Sequence, residues 1–199
     1  MNEKQIRDTP EVYPQLEARC KEIGFTMPSD KLIGTLLKTL VASKPGANLL
    51  ELGTGMSLSL AWMVDGMDAR SKITTLDNDP SLSAIAREYF GSDSRVSVVC
   101  TDGTTWIKSY KGAPFDLVFA DAWPGKYSEL NEILELIKPG GFYVIDDMLP
   151  QPNWLAGHSQ KAQELTNDLE NRPDLVLSKM DWSTGVIVAT KTAAKKAGE

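Results

Sequence analysis

From about residue 29 onward, short β-branched or apolar runs alternate with segments whose apolar residues recur at helical spacing. That is the pattern of repeated β-α units feeding an open, mostly parallel sheet. The runs predict strands at 47–52, 72–77, 95–100, 115–121, 141–146, 174–180 and 184–190, several ending in a carboxylate. Between them, Leu32, Ile33, Leu36, Leu37, Leu40 and Val41 form one apolar helix face. Tyr127, Leu130, Leu134 and Ile137 form a second, and Leu155, His158, Ala162, Leu165 and Leu169 a third. Lys44-Pro45-Gly46 and Lys138-Pro139-Gly140 each read as a helix stop just before a strand. Between the last two strands only Asp181, Trp182 and Ser183 intervene, too few for a helix, so these strands should pair as an antiparallel hairpin.

The chain has 199 residues, 42% apolar and 24% charged, which suits one globular domain and excludes disordered, collagen-like and disulfide-scaffold classes. A single domain over 1–190 is expected, with 1–28 as a helical extension and 191–199 as a mobile tail. The formal net charge of −6 opposes a broad nucleic-acid footprint. Cys20 and Cys100 lack metal or redox spacing and read as small buried hydrophobes in a reducing compartment. Without an apolar signal core or a bilayer-length apolar stretch, the expectation is a cytoplasmic protein with no membrane partner.

In open α/β sheets, ligands bind beyond the carboxyl ends of the strands, which gives five segments functional weight. Glu51-Leu52-Gly53-Thr54-Gly55 ends the first strand, and its glycines allow a sharp turn and close approach of a ligand. A dinucleotide fingerprint would want a further glycine where Leu58 stands, and a bare tight turn would look the same. Asp77 ends the second strand, where a carboxylate can accept both hydroxyl hydrogens of a ribose; Asp79 before Pro80 is the better helix cap. Asp102-Gly103 follows the third strand, and Asp102 can bond an adenine amino group or cap the next helix. FDLVFAD ends the fourth strand at Asp121, and the fifth ends in Asp146-Asp147. Adjacent strand residues face opposite ways, so both acids can line a cleft only if the strand stops there.

Taken together, these segments resemble the class I S-adenosylmethionine-dependent methyltransferases over about residues 24–190. Gly24-Phe25-Thr26-Met27-Pro28-Ser29, ELGT and IDD look most like the catechol and caffeoyl-CoA O-methyltransferase branch. The resemblance implies a Rossmann-like methyltransferase fold: a seven-stranded, mostly parallel sheet with an antiparallel terminal hairpin and helices on both faces. It implies S-adenosylmethionine contacts at Met27, Glu51, Gly53, Thr54, Ser59, Asp77 and Asp102, with Gly55, Asn78, Gly103 and Asp121 in the same set. It also implies a divalent cation, usually Mg2+, held by Asp121, Asp146 and Asp147. Hard oxygen ligands suit such an ion, which would lower the pKa of a coordinated hydroxyl.

Three departures from the branch stand out. The lysine it places three residues after the strand-four acid is here Pro124, Asp147 stands for its asparagine, and Ser57 replaces a common glycine. Lys126 is the nearest replacement base, against a reading as a solvated first-turn residue, and Asp121 is the second catalytic candidate, at the junction of cofactor and substrate in either mechanism. Trp123, Tyr127 and Trp154 could stack on a planar acceptor or fill the core, with residues 148–158 as the acceptor-side wall. His158, the single histidine, shares an apolar stripe and reads as packing rather than as a base. The expected partners are a small-molecule acceptor and a second copy in a homodimer. A metal-independent small-molecule methyltransferase, an NAD(P)-binding oxidoreductase and a non-catalytic binding module are the rival readings.

Overall fold

In the computed structural model, which describes residues 6–193, seven strands form a mixed sheet and the chain divides into two compact units, one ending at Gly103 and the other starting at Thr104. In the first unit, α1 (Tyr13–Ile23) buries Tyr13, Leu16 and Cys20. The unit continues through α2 (Lys31–Ala42), β1 (Asn48–Leu52), α3 (Leu58–Gly66), β2 (Lys72–Asp77), α4 (Pro80–Phe90) and β3 (Val96–Cys100). α2 starts where the Asp30 carboxylate accepts from the Ile33 N–H at 2.8 Å, an N-cap bond. Its apolar stripe then places Ile33, Leu37 and Val41 in the core, where each contributes about 1.5–3 kcal/mol.

Against α2 lies α3, buried from Leu58 to Met63. The contact is close because Gly34 of α2 sits under the Trp62 indole: a Cβ there would stand 2.2 Å from Trp62 Cδ1. Tyr13 meets the same indole edge-on at a centroid distance of 5.6 Å, which ties the N-terminal helix to the unit. The strands run parallel in the order β3-β2-β1, with Leu52 opposite Leu76 and Asp77 opposite Cys100. Asp79 caps α4 through Ser81 N at 2.7 Å, so Asp77 is not spent as a cap. Cys20 is buried as expected, but Cys100 is exposed: it is the last residue of β3, the outermost strand of the order on this side.

The second unit holds most of α5 (Gly103–Ser109), then β4 (Phe115–Ala120), α6 (Leu130–Glu135), β5 (Ile137–Ile145), α7 (His158–Glu170), β6 (Leu175–Met180) and β7 (Val186–Lys191). β4 and β5 are parallel; β7 runs antiparallel to β5 and to β6, giving β4-β5-β7-β6. The expected hairpin is present, with Gly185 in its turn at φ +86°, where an added Cβ would meet Leu149 N at 2.5 Å.

Three expectations are corrected here. Lys138-Pro139-Gly140 does not stop a helix; it lies inside β5 at a register shift, because Ile137 already pairs with Phe115 and the extra residues bulge before Phe142 meets Leu117. α6 therefore spans only Leu130–Glu135, without Tyr127. Leu155 precedes α7 and is 78% exposed, leaving Ala162, Leu165 and Leu169 as the buried stripe. Lys191 closes β7, and Thr192 N donates to Asp174 O at 2.8 Å, so the chain end is held further than the expected tail at 191–199 allows; residues 194–199 of that tail lie outside the described residues.

Candidate functional site

The turn after β1 is built on main-chain bonds: Gly53 and Thr54 both donate to Leu76 O at 3.0 Å, folding the chain over the end of β2. Gly53 (φ +97°) and Gly55 (φ +47°) take backbone conformations that a side chain disfavours. The Gly55 N–H then donates to Asp77 Oδ2 at 2.9 Å, and Asp79 N donates to Asp77 Oδ1 at 2.9 Å. Each carboxylate oxygen has two lone pairs, so Asp77 can bind this turn and still accept from a diol. Glycine turn and Asp77 carboxylate are thus one hydrogen-bonded unit.

Beneath the turn, Glu51 is fully buried in a hydroxyl network. Ser59 Oγ donates to its Oε1 at 2.7 Å and Thr75 Oγ1 to its Oε2 at 2.5 Å; Thr54 Oγ1 lies 2.5 Å from Thr75 Oγ1. Burial outweighs these bonds and pushes the Glu51 pKa up to about 7. The network joins three residues of the expected cofactor set, Glu51, Thr54 and Ser59, to a fourth, Thr75, that was not expected there; its signal in the sequence is a polar residue within a strand. Ser57, at φ +62°, precedes α3 in the left-handed region with its buried Oγ unpartnered, a locally strained residue inside the turn. Asn78 follows β2, and Asp102 lies between β3 and α5, which Gly103 opens. Met27 is 64% exposed.

In the second unit, Asp121 follows β4, and Asp146 and Asp147 follow β5, which ends at Ile145 as a paired-acid cleft requires. Asp146 is buried, and its Oδ1 accepts from Asp147 N at 2.8 Å and from Thr184 Oγ1 of the hairpin. Asp147 takes a left-handed backbone, φ +52°. Burial raises the pKa of both carboxyls.

Lys126 is not a solvated first-turn residue: it is 4% exposed and precedes α6 by four positions. Its Nζ donates to the main-chain oxygens of Asp146 at 2.6 Å and Asp147 at 3.4 Å. Burial lowers its pKa, and Asp121, Asp147 and Asp146 oppose that shift. The turn that delivers it is closed by Gly125 N to Ser128 O at 2.8 Å and by the Tyr143 hydroxyl on Gly125 O.

The metal centre that the resemblance implies is not shown. Among the described residues no group of three or more His, Cys, Asp or Glu is placed to hold an ion. The physical reason is that Asp146 Oδ1 is committed to internal donors and an ammonium already holds the carbonyls of the pair. Asp121, Asp146 and Asp147 as they stand do not fit a divalent cation.

Next to this cluster, the Tyr127 hydroxyl lies 3.0 Å from His158 Nε2. Trp154 stacks on the imidazole at 4.1 Å and Trp123 lies edge-on to Tyr127 at 5.2 Å. Burial pushes Tyr127 up to about 12, while burial and the Lys126 charge lower His158, so the phenol is protonated and the imidazole neutral near pH 7. His158 is therefore a hydrogen-bonded member of an aromatic group rather than simple packing. A cleft of about 310 Å³ in this unit is lined by Lys126, Tyr127, Glu129, Lys161, Asp168 and Arg172 among others. No helix among the described residues is long and apolar enough to cross a membrane.

A family model described as O-methyltransferase matches residues 8–192. A Mycobacterium tuberculosis protein named "Probable O-methyltransferase" is 30% identical over 118 residues, 57% of this chain and 53% of its own length. The chain thus spans about half the length of the curated relatives it matches. Among solved structures, a Bacillus cereus O-methyltransferase in complex with S-adenosylhomocysteine is 20% identical with a TM-score of 0.82, covering 95% of this chain and 94% of that one. The O-methyltransferase TomG of Streptomyces achromogenes, solved with S-adenosylmethionine, is 20% identical with a TM-score of 0.82, covering 96% and 93%. These two likenesses show a shared fold.

Proposed function

The chain belongs to the O-methyltransferase family, and on that premise we propose that it methylates a hydroxyl of a small, planar acceptor with S-adenosylmethionine as donor. The observation that carries this reading is the joined glycine turn and carboxylate of the first unit, where Gly55 N bonds Asp77 Oδ2. Asp77 binds the ribose hydroxyls of the donor, and Glu51, through Ser59 and Thr75, holds the turn in shape. Asn78, Asp102 and Gly103 are assigned to the adenosine end, Met27 to the rim, and Asp121 to the reacting end. The donor supplies an electrophilic methyl group on a sulfonium centre.

The second unit handles the acceptor. Lys126 Nζ, which donates to the main-chain oxygens of Asp146 and Asp147, is a hydrogen-bond donor placed to favour an acceptor oxygen as it gains negative charge. Asp147, made more basic by burial, and neutral His158 bonded to Tyr127 offer lone pairs for the released proton. Trp123 is 49% exposed and offers a face to a planar ring. The test is calorimetric titration with S-adenosylhomocysteine and with NADH, followed by methyl transfer to a panel of catechols and simple phenols. Saturable S-adenosylhomocysteine binding and label transfer to oxygen are expected; NADH binding without S-adenosylhomocysteine binding would overturn the reading.

A further inference from the structure

From the geometry of the second unit we infer that the Lys126 ammonium is the built-in cation of the strand-end acid cluster, standing where a divalent ion would otherwise be held. The inference deepens the methyl-transfer reading and rests on it for its catalytic consequence: the cluster works without metal. Three observations carry it. Lys126 Nζ donates to the main-chain oxygens of Asp146 and Asp147, oxygens of the hard type that Mg2+ or Mn2+ would itself coordinate. Lys126 is 4% exposed, between the strand ends that carry Asp121 and Asp146-Asp147, and so is not readily displaced into solvent. Asp146 meanwhile commits Oδ1 to Asp147 N and the Thr184 hydroxyl.

A second cation at this depth would face the ammonium across a medium that screens like charges poorly. The sequence cause is local. Pro124-Gly125 breaks the chain after β4 into a turn, with Gly125 at φ +82°, and the turn carries Lys126 inward instead of along a helix surface.

The experiment is Mn2+ titration of the metal-stripped protein, followed by electron paramagnetic resonance of the free ion, for wild type, Asp146→Asn, Lys126→Met, Lys126→Arg and Lys126→Met/Asp146→Asn. Wild type and Lys126→Arg are expected to show no saturable site. Lys126→Met, which removes the charge and keeps the alkyl chain, should gain Mn2+ affinity by about 10–100-fold, the scale on which a neighbouring group moves metal binding. The double variant should lose that gain. A saturable site in wild type that Asp146→Asn removes overturns the inference, as does a folded Lys126→Met protein that gains no site. If Lys126→Met does not fold, the wild-type and Lys126→Arg titrations still decide: a site in either one is contrary. S-adenosylhomocysteine binding, measured on the same wild-type sample, reports on the methyl-transfer reading separately, since its loss would leave the Mn2+ result untouched.

Discussion

Replacing Glu51 by glutamine should change the pH dependence of stability more than stability itself. The side chain is fully buried, and its carboxyl titrates at about 7 in the fold against 4.5 as an ordinary glutamate. The folded state therefore holds a proton that the unfolded chain has released. Stability is fully present below pH 4.5 and is lost as pH rises through 7, at about 1.4 kcal/mol per pH unit in between, or about 3 kcal/mol in all.

Glutamine fills the same space, never ionises, and can still accept from Ser59 or donate to the Thr75 hydroxyl. Its cost at pH 5 should be that of one altered hydrogen bond, about 1 kcal/mol. By pH 8 the wild type has lost its proton and Glu51→Gln should be the more stable protein, with a swing of about 2–3 kcal/mol between the two conditions. Urea denaturation followed by tryptophan fluorescence at half-unit steps from pH 5 to 8 measures it. Asp146, whose carboxyl is also raised, is present in both proteins and cancels in the difference. Parallel stability curves would refute the reasoning and return Glu51 to the ordinary carboxylate range.

Other perturbations have defined outcomes. Gly34→Ala places a methyl 2.2 Å from two Trp62 ring atoms and should cost about 1–3 kcal/mol by forcing α2 and α3 apart, read as a Tm loss of about 5 °C; an unchanged Tm would contradict the close helix contact. Asp77→Asn retains size but loses the charge that accepts from Gly55 and Asp79, and S-adenosylhomocysteine affinity should fall by about 10–100-fold in calorimetry, with unchanged affinity contradicting the ribose role. His158, the single histidine, gives one imidazole resonance pair, whose NMR titration midpoint should lie below 6.5 because burial and Lys126 disfavour the cation. Since its folded pKa is lowered, protonation favours the unfolded chain, and this contribution to stability is lost as pH falls below 6.5; a midpoint above 6.5 would be contrary.

What the chain determines by itself is period and punctuation. The seven strands, their carboxyl-end acids, the Asp79 cap beside a spared Asp77 and the terminal hairpin all follow from residues within a few positions of one another. The glycine turn was legible for the same reason, since backbone conformation after a strand is a local matter. Tertiary structure alone decided the rest, because it depends on partners far away in sequence. Lys126 meets the carbonyl of Asp146 twenty positions on, and Tyr127 meets His158 thirty-one positions on. No local pattern distinguishes a buried lysine from a solvated one, or predicts that Cys100 stays uncovered while Leu155 falls outside its helix. The Lys-Pro-Gly before β5 carries the same composition as a helix stop; only pairing with β4 turns it into a bulge. Burial and hydrogen bonding across distant elements set the charge states of Glu51, Lys126 and the paired acids, so the chemistry of this site is a property of the folded chain, written on positions that the sequence already marks.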